Sequence, residues 1–168
     1  MASMPTDEAS GNARQGQGEE QVTPVVTCFV LRSRDGQDEV LLAQRSQRVR
    51  TYRGSWGGVS GYLEPGVTPL EQAYTELREE AGLARDDVEL LRVGEPISFR
   101  DEALAQNWIV HPFLFRLLRP EAVRSDWEAD RFEWYPPEAV ATLPAVPRLS
   151  DALAHVYPPA PAEADNGD

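Results

Sequence analysis

The chain is 168 residues long, carries a formal net charge of −12 and is 41% hydrophobic, a composition that suits one soluble globular domain with a real core. The acidity argues against non-specific binding of nucleic acid or anionic membrane, and no apolar run reaches membrane-spanning length. All sixteen basic residues are arginine, which excludes a Walker-type phosphate loop and a Schiff-base mechanism, and the lone Cys28 excludes an internal disulfide or a thiolate zinc cluster.

Residues 1–21 show no periodicity and no signal-peptide core, so a disordered tail and a cytoplasmic protein are expected. Residues 22–32 are β-branched and apolar enough for a largely buried strand, with Cys28 as a small core residue. A turn at 33–36 returns the chain into a second strand over 39–44. Residues 45–58 then carry Arg45, Arg48, Arg50 and Arg53 in a window without an acidic residue. In so acidic a chain this excess makes the four arginines candidates for phosphate binding, since guanidinium forks pair with phosphate oxygens. Tyr52 and Trp56 are candidates to stack on a base, although Trp56 reads more readily as a core or loop anchor.

A short strand over 56–61 enters a tight loop and one amphipathic helix. Thr68 is a good N-cap, Pro69 suits the first helical position, Glu71 completes a capping box, and Gly82 supplies the stop. Leu70, Ala73, Tyr74, Leu77 and Ala81 form the apolar face. Glu76, Glu79 and Glu80 gather on an adjacent face, where like charges destabilise the helix by a few tenths of a kcal/mol per pair. Three hard carboxylates within about one turn suit Mg²⁺ or Mn²⁺, while a solvated acidic face would show the same pattern.

Beyond the helix, residues 88–93 and 96–99 read as strand, 101–106 as a polar connection, and 107–118 as the strongest remaining apolar run. Pro112 within that run implies an edge strand or a bulge, and His111 is expected to be a packed strand residue. Residues 120–130 read as an acidic loop in which Asp126, Glu128 or Asp130 is a candidate remote carboxylate. A last strand over 132–135, a helix over 138–143, a second short helix capped by Ser150, and a disordered tail over 157–168 complete the chain.

Residues 61–83 resemble the signature of the Nudix hydrolase family, Gly-x5-Glu-x7-Arg-Glu-U-x-Glu-Glu-x-Gly-U with U a bulky aliphatic residue. With Gly61 first, Glu76, Leu77, Glu79, Glu80, Gly82 and Leu83 fall in register, and Glu64 and Gly66 fit the family's loop variant. Val67 and Thr75 stand where the family has Glu and Arg, whose ion pair braces loop against helix. Replacing both members by uncharged groups can be neutral, whereas losing one would strand a charge.

The resemblance implies an α/β fold (α+β), an α/β/α sandwich with a mixed β-sheet, over residues 22–156. It also implies an enzyme, a pyrophosphohydrolase cleaving a diphosphate bond in a nucleoside diphosphate linked to another moiety. Glu76, Glu79 and Glu80 would be the catalytic and metal-binding residues, with a backbone carbonyl of Ser60 or Gly61 completing a Mg²⁺ or Mn²⁺ site. Arg45, Arg48, Arg50, Arg53 and Tyr52 would bind a nucleotide-type small-molecule substrate. No nucleic-acid or membrane partner is implied, and a homodimer stays open. The alternative is a weak or inactive nucleotide-binding or regulatory domain.

Overall fold

The computed structural model describes residues 21–123 and 129–159. The eight strands of one sheet are β1 (Val22–Arg34), β2 (Gln37–Arg45), β3 (Trp56–Gly57), β4 (Val59–Tyr62), β5 (Val88–Val93), β6 (Ile97–Asp101), β7 (Gln106–Leu117) and β8 (Ala129–Tyr135). The helices are α1 (Pro69–Ala81) and α2 (Leu149–Ala154), with short 3₁₀ turns between other elements. Strand β1 runs parallel to β7 from Val22↔Asn107 to Leu31↔Arg116, and the other pairings are antiparallel. The sheet is therefore mixed, as expected.

Alternation along β1 sends Val26, Cys28 and Val30 to one face and Phe29 and Leu31 to the other. The first set packs on α1 with Leu77, Ala81, Phe113 and Phe115, and the second packs on α2 with Leu114, Leu149 and Leu153. The result is the expected α/β/α sandwich, with a core on each side of the sheet. Asp35 and Gly36, at φ 54° and 78°, form the two-residue turn that suits the right-handed twist of the β1–β2 hairpin.

Beyond that hairpin the two strands part. β1 pairs β2 through residues 30–34 but pairs β4 through 25–28, while β2 takes β3 at Ala43 and Gln44. The segment from Trp56 to Tyr62 is thus wedged into the opening. Gly58 sits at the tip of the wedge, where a Cβ would fall 2.8 Å from the Cys28 carbonyl oxygen. The wedge ends where α1's loop begins, which places the helix beside it.

Helix α1 forms where the sequence places it. The Thr68 side chain accepts from the Glu71 N–H at 3.2 Å, which is one half of the capping box. Ala73, Leu77 and Ala81 are fully buried, and Gly82 closes the helix in the left-handed region at φ 72°. Four other expectations change. Pro112 lies in β7, a central strand flanked by β1 and by β5 and β6, rather than at an edge. Its carbonyl accepts from Gly94 N–H, so its ring nitrogen faces the gap between Val93 and Ile97, where no partner strand needs a donor. The last strand starts at Ala129 instead of 132 and so takes in position 130. The segment after Pro136 is a 3₁₀ helix, Pro137–Thr142. Ser150 lies inside α2, whose cap position is Arg148 at φ 65° with no side-chain cap bond.

Candidate active site

A cavity of about 730 Å³ opens on the α2 face of the sheet. Thr27, Phe99, Trp108 and Val110 project from the strands into it, Leu149 and Ala152 come from α2, and the 45–52 loop covers one side. Glu76, Glu79 and Glu80 reach it from α1 past the end of β4. The three glutamates named from the sequence therefore do share one cavity.

Two of them are seated against β4. The Ser60 N–H donates to Glu80 Oε1 at 3.3 Å. Glu76 lies against Gly61 so closely that a Cβ there would stand 2.1 Å from its carboxyl carbon. Glu76 Oε2 also accepts from Gln72 Nε2 at 2.9 Å. Glu79, by contrast, is exposed on the cavity wall. Beneath the pair, burial first and then the Glu80 and Glu76 charges push the Cys28 thiol well above its usual value. Cys28 is thus an inert core residue. Among the described residues, no three His, Cys, Asp or Glu side chains are assembled closely enough to hold an ion by themselves.

The arginines divide. Arg45, Arg48 and Arg50 line the cavity, but Arg53 does not: it is exposed and its Nε donates to the Val49 carbonyl at 2.7 Å. Arg45 also staples the loop, since its Nε donates to the Thr51 carbonyl at 2.9 Å. Tyr52 lines the cavity at φ 54° and donates to Asp101 Oδ2 at 2.6 Å. Burial first and this bond second push its hydroxyl up to about 12. Trp56 is buried edge-on against Tyr135 at 5.4 Å, a core anchor rather than a stacking surface. His111 does not line the cavity, and burial lowers its pKa. Asp126 and Glu128 lie outside the described residues, as does the side chain of Asp130.

Several cavity groups lacked a local sequence signal. Arg148 enters from the turn before α2 with its guanidinium 5.7 Å from the Phe99 ring centroid. Tyr62 and Trp108 stack at 6.4 Å with planes 22° apart, and Tyr52 tilts against Trp108 at 6.2 Å. These rings make one part of the cavity aromatic.

The NUDIX domain model matches residues 22–156. The chain is 35% identical over 131 residues to the 8-oxo-dGDP phosphatase NUDT18 of Mus musculus, a match covering 75% of this chain and 36% of the relative. It is 31% identical over 120 residues to an RNA pyrophosphohydrolase of Francisella tularensis subsp. mediasiatica, covering 56% of this chain and 73% of that protein. The chain thus spans about a third of the length of the first of these. A C. elegans Ap4A hydrolase, solved as a binary complex, superposes with a TM-score of 0.68 at 19% identity, covering 79% of this chain and 93% of that one.

Proposed function

This chain belongs to the NUDIX domain family, and from that premise we propose that it is a divalent-metal-dependent hydrolase cleaving a diphosphate bond in a nucleoside diphosphate linked to another moiety. The observation that carries the reading is the convergence of Glu76 and Glu80 beside Gly61, in a cavity whose facing loop bears Arg45, Arg48 and Arg50.

The donor set fits Mg²⁺ or Mn²⁺. Two carboxylates and the adjoining backbone offer hard oxygens only, and the absence of glycine's side chain at 61 leaves the space in which Glu76 sits. A protein-only cage is not needed. Mg²⁺ characteristically binds one or two carboxylates and completes its shell with water and substrate phosphates. Glu76 and Glu80 would hold the ion, with Gly61 or Ser60 backbone oxygen beside them. When bound, it would supply positive charge against the phosphate oxygens as the bridging bond breaks.

The chain's own groups then divide the work. A water oxygen attacks phosphorus in line, the P–O bond to the leaving phosphate breaks, and the water's proton passes to a carboxylate. Glu79, exposed at the cavity wall, is our candidate for that base. Arg48 and Arg50 hold the non-reacting phosphates, while Arg45 keeps the loop in shape. Tyr52, Tyr62 and Trp108 offer ring faces to a base. The similarity to an 8-oxo-dGDP phosphatase, an RNA pyrophosphohydrolase and an Ap4A hydrolase supports this substrate class without choosing within it.

A hydrolysis panel tests the reading: 8-oxo-dGDP, deoxynucleoside triphosphates, ADP-ribose, Ap4A and 5′-triphosphorylated RNA, each with Mg²⁺, Mn²⁺ or EDTA, and products identified by mass. Turnover of at least one nucleotide, lost in EDTA, is expected. Nucleotide binding without turnover under either metal would instead establish the regulatory alternative.

A further inference from the structure

Gln72 is the one polar side chain of α1 that is almost completely buried, at 4% exposure. An amide in that position must satisfy both ends, because a buried unpaired donor or acceptor is costly. It does so by spanning two elements. Its Oε1 accepts from the Glu64 N–H at 3.0 Å, in the loop between β4 and α1. Its Nε2 donates to Glu76 Oε2 at 2.9 Å, one turn further along the helix. The orientation of the amide is dictated by its partners. Turned over, it would set N–H against N–H at Glu64 and oxygen against carboxylate at Glu76.

We infer that Gln72 is the positioning residue of this site: it ties the 61–68 loop to α1 and fixes the plane of the Glu76 carboxylate against Gly61. Val67 and Thr75 carry no charge with which to bridge loop and helix. The glutamine reaches both from inside, its own side chain buried and its two bonds part-buried. Groups that orient a metal-binding carboxylate in this way commonly change metal affinity or activity 10- to 100-fold when removed. This role rests on the metal-dependent reading above.

The test compares wild type with Gln72→Met, which keeps volume and removes both bonds. Gln72→Asn serves as a second variant, keeping the amide but too short to reach both partners. Mn²⁺ affinity is read by EPR without substrate, thermal stability by calorimetry, and kcat and KM on whichever panel substrate is turned over. For both variants, Mn²⁺ Kd rises about tenfold or more and kcat falls by a similar factor. KM at saturating metal stays within about twofold, because the arginine loop is untouched. Adding Val67→Glu and Thr75→Arg to Gln72→Met restores Mn²⁺ affinity, since an ion pair then does the bracing. A variant that melts earlier but binds Mn²⁺ as wild type does would overturn the inference, as would unchanged Mn²⁺ affinity and kcat in a stable variant. Failure of the wild type to bind Mn²⁺ would sink the metal-dependent reading itself and this inference with it. Normal wild-type binding with indifferent variants would sink this inference alone.

Discussion

The Glu76 carboxylate fills the space that a side chain at Gly61 would take: a Cβ on the glycine would stand 2.2 Å and 2.6 Å from its two oxygens. Gly61→Ala must therefore expel the carboxylate from its seat or push β4 out of register. We expect a loss of roughly 100-fold in kcat/KM and weaker Mn²⁺ binding. The clashing atoms are the far end of a flexible side chain that can swing aside, so the cost in stability should stay below about 1 kcal/mol. Denaturant unfolding with metal titration of the same sample separates the two effects. Unchanged metal affinity would show that Glu76 is not a ligand.

The three glutamates should differ on substitution because Glu80 is held by the Ser60 N–H and Glu76 by Gln72, whereas Glu79 is exposed. Glu76→Gln and Glu80→Gln keep the shape and remove one member of an i, i+4 like-charge pair. Each should lower kcat by roughly 1,000-fold while leaving the melting temperature unchanged or raised. Glu79→Gln, on the exposed wall, should lower kcat and leave Mn²⁺ affinity within about threefold if it takes the proton. Substantial activity in Glu80→Gln would count against the ligand assignment.

The division between what local sequence reveals and what only folding reveals is physical. Helix α1 is readable because a cap, a stop and a 3.6-residue periodicity are properties of neighbours. Glu76, Glu79 and Glu80 reach the cavity from it for the same reason. Charge in a window says nothing about direction: Arg53 lies outside the cavity, and its guanidinium turns back onto Val49. Arg148, Phe99 and Trp108 meet only through tertiary packing between α2, β6 and β7, for which no local pattern exists. Gln72 looks like an ordinary helix residue until the loop folds over it. Pro112 is tolerated in a central strand because the neighbouring strand is interrupted opposite its nitrogen, a coincidence of two distant segments.

Gly58 gives a test of the wedge between β1 and β2. A Cβ there would meet the Cys28 carbonyl oxygen at 2.8 Å and Thr27 Cγ2 at 2.9 Å, and the backbone contact has little room to yield. Gly58→Ala should cost about 1–3 kcal/mol by denaturant unfolding. Because Ser60 holds Glu80 from the same wedge, it should weaken Mn²⁺ binding as well. A fully stable variant would mean the wedge can shift freely.

Tyr52 and Asp101, 49 residues apart, pin the arginine loop to the β6–β7 turn. The phenol is raised to about 12, by burial and then by Asp101. Its contribution is therefore complete below about pH 10, the unperturbed value, and fades as pH climbs through the raised one. Asp101 is lowered, chiefly by the Tyr52 bond. Its contribution is complete above about pH 4 and fades as pH falls through the depressed value. The melting-temperature gap between wild type and Tyr52→Phe should thus be flat from about pH 5 to 9 and narrow on both sides. Amide exchange in residues 46–55 should be faster in the variant, with KM raised roughly threefold and kcat little changed. A gap that widens at acid pH would contradict the assignment.

Arg148 and Arg53 pose the sharpest contrast, because charge counting favours one and geometry the other. Arg148 lines the cavity from the turn before α2, with Phe99 beneath its guanidinium and Asp151 beside it. A guanidinium so placed can pair with a phosphate or lie over a base without leaving its partners. Arg53 lies outside the cavity and is occupied with Val49. Arg148→Gln should raise KM for the nucleotide about tenfold, and Arg53→Gln should change it by less than about twofold. Salt adds a second signature: if Arg148 acts as a charge, the ratio of the two variants' KM values shrinks as ionic strength rises from about 0.05 to 0.5 M. If it acts by stacking, the ratio holds. Equal effects of the two substitutions would mean that the loop's overall charge, rather than the position of any one arginine, governs substrate binding.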